Sequence, residues 1–170
     1  MTMRAGIALG SNLGDRLANL RKARECVLRI PGVSGPVRDS RIYETEPVNS
    51  GPDAGAYLNA VIDVEYDGQP SALLDALQTI EAEFGRPSKR PRNAPRTIDP
   101  DILYVGNLAL SNQDIAIPHP RLHRRRFVLT PFADVRPELV LPGQQQSVAD
   151  LLVALQDPAE VTIFSATWDA

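Results

Sequence analysis

Cysteine is almost absent: Cys26 is the only one in 170 residues. That excludes an intrachain disulfide and any zinc site built on cysteines, and it fits a reducing, cytoplasmic setting. Cys26 itself reads as a small hydrophobe within a helix. No apolar run approaches the roughly 20 residues of a membrane span. Met1 to Ala5 lead straight into a strand-like stretch, so neither a signal peptide nor an anchor is expected. Aromatic residues are few, at 5%, and lysine is nearly missing, with Lys22 and Lys89 the only two among 18 basic residues. The other basic residues are arginine, whose planar fork suits bidentate phosphate contacts. A net charge of −3 argues against a protein that coats nucleic acid or lies on a membrane surface. The positive charge that exists is concentrated, with nine basic against three acidic side chains in residues 86–126. A cationic zone on an acidic chain points to a small phosphorylated molecule. The 43% hydrophobic and 23% charged content fits a single domain over residues 1–170. A chain of this length buries about 70% of its unfolded surface and needs no metal to build a core.

Hydrophobic periodicity orders the elements. Met3 to Leu9 reads as a strand ending in the turn Gly10-Ser11-Asn12-Leu13-Gly14. A helix is predicted from about Asp15 to Ile30, with Leu17, Leu20, Val27 and Leu28 on one stripe and Pro31-Gly32 ending it. Residues 37–46 look extended. Tyr57 to Tyr66 alternates cleanly: Leu58, Ala60, Ile62, Val64 and Tyr66 share an apolar face, and Tyr57, Asn59, Asp63 and Glu65 share an unusually polar one. Pro70-Ser71 opens a second helix through Leu73, Leu77, Ile80 and Phe84, closed by Gly85. Residues 86–96, with three prolines and five basic residues, read as a loop or lid. A strand follows over 97–105, which Pro100 places at a sheet edge or beside a bulge because proline cannot donate to a ladder. A hairpin after Gly106-Asn107, helices over 128–135 and 148–155 and a last strand over 161–164 complete the chain. The order β-α-β-β-α-β predicts an α+β fold with a ferredoxin-like core, a mainly antiparallel sheet and added C-terminal helices.

Asp99 and Asp101 carry the strongest chemical signal. Two carboxylates at i and i+2 on a strand point the same way, about 7 Å apart, close enough to bracket one magnesium ion or share two. Spacing alone weighs this evenly against a solvated edge-strand face. Arg96, with the arginines before it, supplies partners for a polyphosphate. His119 and His123 have the i, i+4 spacing of a zinc pair, but Pro118 and Pro120 bracket the first, so a histidine beside phosphate or on the surface is the better reading. At least one arginine of Arg124-Arg125-Arg126 is expected to be simply solvated. The Gly10–Gly14 turn matches neither a Walker loop nor a dinucleotide fingerprint and reads as structural. Tyr57 and Asn59 on one strand face could stack on and hydrogen-bond a flat heterocycle.

In chain order, Gly10-Ser11-Asn12-Leu13-Gly14-Asp15, Tyr43-Glu44-Thr45-Glu46-Pro47, Tyr57-Leu58-Asn59-Ala60, Arg96-Thr97-Ile98-Asp99-Pro100-Asp101-Ile102 and Pro118-His119-Pro120-Arg121-Leu122-His123 with Arg125-Arg126-Phe127 resemble the 6-hydroxymethyl-7,8-dihydropterin pyrophosphokinases of folate biosynthesis. The resemblance spans nearly the whole chain. It implies transfer of the β,γ-pyrophosphoryl unit of ATP to the pterin hydroxymethyl oxygen, with AMP released. By the same resemblance Asp99 and Asp101 would hold two Mg2+ ions, and Arg86, Arg92, Arg96, His119 and Arg125 would carry phosphate charge. Gln78, Glu81 and Ile102 would lie near the nucleotide. Tyr57 and Phe127 would sandwich the pterin, Asn59 would read its amide edge, and Thr45 and Val48 would line the entrance; this pocket would account for the polar strand face. Arg86 and Arg92 would ride on a closing lid that excludes water. Three departures stand out: Asn93-Ala94 where many members carry Trp-Gly, Pro100 where leucine is usual, and Asp114 where some place an arginine. The expected partners are ATP and the pterin, with no nucleic acid and no membrane, and the chain is expected to act as a monomer. Two rivals remain: a γ-phosphate kinase on the same metal pair, and a ferredoxin-like module that binds nucleic acid through residues 86–126.

Overall fold

Small and branched residues alternate along β1 (Met3–Ser11), and this strand lies inside the sheet with a paired neighbour on each side. The computed structural model describes residues 2–46, 55–85, 97–157 and 159–169. On one side β1 pairs antiparallel with β4 (Tyr57–Tyr66), and on the other with β5 (Asp99–Val105). The far side of β4 is shared by β2 (Val33–Asp39) and β3 (Ile42–Thr45), and β8 (Val161–Ser165) adds to β3. The sheet order is β5-β1-β4-β3-β8, with β2 also against β4. β6 (Leu110–Ser111) and β7 (Ala116–Ile117) form a separate hairpin.

The predicted extended stretch 37–46 is thus two strands rather than one. The break falls at Ser40, whose N–H donates to the Val61 carbonyl at 2.9 Å and whose hydroxyl accepts from the Val61 N–H at 2.8 Å. One serine satisfies the β4 backbone where the chain crosses from one strand to the next. Counted as a unit, β2 and β3 supply the second strand of the β-α-β-β-α-β core, so the predicted class holds. β5 lies at the end of the order, where Pro100 is tolerated opposite Leu9.

Helix α1 (Arg16–Leu28) begins where the Asp15 carboxylate accepts from the Ala18 N–H at 3.1 Å. With α2 (Pro70–Glu83) it covers the sheet face made by Ile7, Leu9, Ala60, Ile62 and Val64, and Leu20, Val27, Leu73 and Leu77 fill that core. The opposite face carries α3 (Arg126–Val135) and α4 (Val148–Ala154) over Val61, Leu103 and Tyr104, with Leu129 and Phe132 of α3 filling that core. Ser147 caps α4 by accepting from the Asp150 N–H at 3.2 Å. Among the described residues no helix is long and apolar enough to cross a membrane.

The polar face of β4 divides in two. Asp63 is fully buried and takes Arg4 Nε at 2.6 Å together with the Tyr104 hydroxyl, while Glu65 takes Arg4 Nη1 at 3.2 Å. This half serves internal ion pairing, so a ligand pocket does not account for the whole face. The other half, Tyr57 and Asn59, lies toward the end of the sheet where Asp99 stands.

Candidate active site

The site begins with what β1 does not carry. Gly6, Ala8 and Gly10 alternate with Ile7 and Leu9, so small residues line the face turned away from α1. Tyr104 fills the space over Gly6, where a Cβ would meet its ring at 2.6 Å. Over Gly10 a Cβ would stand 3.1 Å from Asn59 Oδ1 and 3.5 Å from the Tyr57 ring. Asn59 and Tyr57 therefore lean across β1 because Gly10 leaves them room.

Register brings the predicted residues into rows. Asp99 pairs with Gly10, which pairs with Asn59, which pairs with Tyr43. The next row holds Asp101, Ala8 and Val61. Strands are spaced by about 4.8 Å, so roughly 10 Å separates the carboxylate strand from the amide strand. The strip of β1 between them presents only Ala8 and Gly10 on this face and is termed the trough. Asn59 is 8% exposed, and its Nδ2 donates to Thr45 Oγ1 at 3.3 Å, which fixes the direction of the amide.

His119 reaches the same end of the sheet because its N–H donates to the Leu103 carbonyl on β5 at 2.9 Å. Its Nδ1 accepts from the Arg121 N–H at 3.2 Å, so the ring proton of the neutral form sits on Nε2. Burial holds its pKa below the usual 6.5, Arg125 and Arg121 add to that, and Asp99 opposes it. A neutral imidazole here offers one N–H donor next to fixed arginine charge. Arg125 precedes α3, with its guanidinium carbon 5.6 Å from the centroid of the Phe127 ring, and Phe127 packs against the second core. The three consecutive arginines part company: Arg124 is exposed as expected, Arg125 covers Phe127, and Arg126 donates to the carbonyls of Leu155 and Asp157.

Other expected residues lie elsewhere. Gln78 is exposed on α2, Glu81 is half-buried there, and Ile102 is packed in the α1/α2 core at 7% exposure. They lie on the other side of the sheet, with β5 as the edge between them and the trough. Val48, Arg86, Arg92 and Arg96 fall outside the described residues, as do the predicted lid and Asn93-Ala94. Sequence reasoning passed over the Gly6-Ala8-Gly10 alternation, which was legible as period-2 smallness on a strand. It also passed over Arg16, whose partners are 28 and 40 positions away in the chain.

Two carboxylates on one strand, with no cluster of three or more His, Cys, Asp or Glu among the described residues, make a poor cage for a resident metal. They make a good half-shell for a hard cation that brings phosphate and water oxygens with it.

Residues 6–137 match the model of the family described as 7,8-dihydro-6-hydroxymethylpterin-pyrophosphokinase. The chain is 40% identical over 142 residues to the 2-amino-4-hydroxy-6-hydroxymethyldihydropteridine pyrophosphokinase of Haemophilus influenzae, covering 83% of this chain and 86% of that protein. It is 39% identical over 131 residues to the Bacillus subtilis protein of the same name, covering 77% of each. A folate synthesis bifunctional protein of Arabidopsis thaliana is 40% identical over 129 residues, 76% of this chain and 26% of that one. Among solved structures, an HPPK-DHPS crystallised with substrates superposes with a TM-score of 0.71 at 13% identity, covering 89% of this chain and 43% of that one. That last likeness speaks for the fold alone.

Proposed function

The chain belongs to the 7,8-dihydro-6-hydroxymethylpterin-pyrophosphokinase family, and from that premise we propose how its own residues carry out pyrophosphoryl transfer. The hydroxymethyl oxygen of 6-hydroxymethyl-7,8-dihydropterin attacks the β-phosphorus of ATP. The bond from that phosphorus to the α,β-bridging oxygen breaks, AMP leaves with the oxygen, and the hydroxyl proton passes to solvent. The observation that carries this reading is the row Asp99, Gly10, Asn59, which sets a carboxylate pair and an amide reader on opposite banks of one trough.

Asp99 and Asp101 would hold the two magnesium ions that accompany ATP; when bound, these would neutralise phosphate charge and acidify the attacking hydroxyl. His119 Nε2–H and Arg125 bind phosphate oxygens, with Arg86, Arg92 and Arg96 completing the cationic set. Asn59 and Thr45 orient the pterin, Tyr57 and Phe127 hold its faces, and Val48 lines the entrance. The nucleotide leaves the trough over the β5 edge toward Gln78, Glu81 and Ile102; among the described residues β5 is the last strand of the sheet on that side. Arg125 must lift from the Phe127 ring for a heterocycle to stack there. In this reading residues 1–170 work as one domain, monomeric and cytoplasmic.

The test is to incubate the protein with ATP, magnesium and the pterin and to resolve the nucleotides by chromatography. AMP in one-to-one ratio with a pterin diphosphate is expected. ADP with a pterin monophosphate would replace this reading by γ-transfer on the same metal pair.

A further inference from the structure

The turn between β1 and α1 carries no ligand in the reading above, yet it makes two contacts to the entry of β4. Arg16, the first residue of α1, donates from a single nitrogen, Nη1, to Glu44 Oε2 at 2.7 Å and to the Ala56 carbonyl at 2.8 Å. Asn12 Nδ2 donates to the neighbouring Gly55 carbonyl at 3.5 Å. Glu44 stands on β3 beside Thr45, and Ala56 immediately precedes Tyr57, which pairs with Thr45. One guanidinium nitrogen thus spans the end of the β3–β4 ladder. It does so from the far face of the sheet, because Glu44 pairs with Leu58 of the α1/α2 core, whereas Thr45, Tyr57 and Asn59 face the trough.

The ion pair is partly exposed, at 26% and 35% for the two side chains, and as an isolated pair would contribute little. Its position gives it weight: a pair that joins two strand ends limits their motion relative to each other. Asn19 stiffens the turn, its Nδ2 donating to the Leu13 carbonyl at 2.9 Å and to Ser11 Oγ at 3.3 Å. From the other side Phe164 packs on the Arg16 guanidinium, with its ring centroid 5.5 Å from Cζ. Phe164 is the extra residue where β8 shifts register against β3.

We propose that Arg16 is a positioning residue for pterin recognition. It sets the spacing of Thr45, Tyr57 and Asn59 through the backbone without touching the substrate, and Phe164 braces it. This rests on the assignment of those three residues to the pterin. The test compares wild type with Arg16→Met, Arg16→Lys and Glu44→Gln by equilibrium pterin binding in the presence of a non-hydrolysable ATP analogue, binding of that analogue alone, and steady-state kinetics. Arg16→Met is expected to weaken pterin binding and raise the pterin KM about tenfold, to change kcat by no more than about twofold, and to leave analogue binding unaltered. Arg16→Lys is expected to restore part of the loss, since one ammonium nitrogen can serve both acceptors but lacks the planar face that packs on Phe164. Glu44→Gln should cost about threefold and add less than its full effect on top of Arg16→Met. A folded Arg16→Met that binds pterin as wild type does, equal losses of pterin and analogue, or no recovery in Arg16→Lys would overturn the proposal. If Arg16→Met does not fold, wild-type pterin affinity in Glu44→Gln overturns it instead. Failure of the wild type itself to bind the pterin would overturn the underlying assignment as well, so the two failures are distinguishable.

Discussion

Asp99 and Asp101 differ from most strand carboxylates in having small residues beside them, Gly10 and Ala8, where a cross-strand neighbour would otherwise crowd them. If their work is to hold a cation with its phosphates, isosteric loss of charge should remove turnover and leave packing intact. Asp99→Asn and Asp101→Asn are each expected to lower kcat by about a thousandfold or more while the melting temperature moves by no more than a few degrees. Parallel collapse of stability in both would mean the carboxylates are structural. His119 gives a second handle. Burial and the flanking Arg125 and Arg121 hold its pKa below 6.5, so its titration followed by NMR in the metal-free protein should fall below 6.5, and Arg125→Ala should bring it back toward that value. The unfolded chain takes up this proton first, so as pH falls through 6.5 the folded state loses stability, while above it His119 contributes no pH dependence. Sequence made the identity of these residues legible but not their arrangement. Asp99 and Asn59 are 40 positions apart and meet only through a strand that contributes glycine to the row, and nothing local announces that pairing.

Elements explain where the readings from periodicity held and where they failed. β4 was legible to the residue because its apolar face alternates without a break, and only Val61 is aliphatic on the other. β2 and β3 read as a single extended stretch because their division depends on one serine hydroxyl that serves a distant backbone group. α3 shows how a helix is locked to the sheet across the site. Asp134 accepts from Arg41 Nη2 at 3.0 Å and from the Tyr43 hydroxyl at 2.8 Å. Burial would raise the Asp134 pKa, but these hydrogen bonds outweigh it and hold it below 3.8, while burial and the Asp134 contact push Tyr43 up to about 12. A depressed carboxyl pKa contributes stability above the unfolded value that is lost as pH falls through the folded one. Asp134→Asn is therefore expected to cost about 1 to 2 kcal/mol at pH 7, after allowance for the exposed Arg41. Urea titrations should show the gap between variant and wild type closing as pH falls below 3.8 and through the lowered pKa of the folded state. A gap independent of pH would mean that packing, not the charge, is what Asp134 supplies.

Taken as a whole, the molecule uses its sheet as a partition: a mainly apolar core under α1 and α2, and under α3 and α4 a core with an ion-paired carboxylate inside it. Asp63 has no exposed surface and is bonded by Arg4 from β1 and the Tyr104 hydroxyl from β5, while Arg136 after α3 donates to Tyr104 at 2.6 Å and stands 3.8 Å from the Asp63 carboxylate. Burial and the Asp63 hydrogen bond raise the Tyr104 pKa, so the phenol stays protonated and donates. This cluster joins three strands and the end of α3, two rows from Asn59 and on the same face of β4. Pattern alone could not separate the two halves of that face, because both place a polar side chain at every second residue; only the partners distinguish them. The distinction has a measurable consequence. Removing one member of a buried charged group leaves the others short of a partner, here Arg136, and Arg4 with Glu65 as its remaining carboxylate. Asp63→Ala is expected to lower unfolding free energy by about 3 to 5 kcal/mol and the melting temperature by roughly 6 to 20 °C for a chain of this size. At temperatures where the variant remains folded, the KM values for ATP and pterin should stay within about twofold of wild type, because no group at the trough has been touched. If instead the pterin KM rose as much as stability fell, the two halves of the β4 face would be one cooperative unit. The site would then extend from Asn59 down to the arginines of the core.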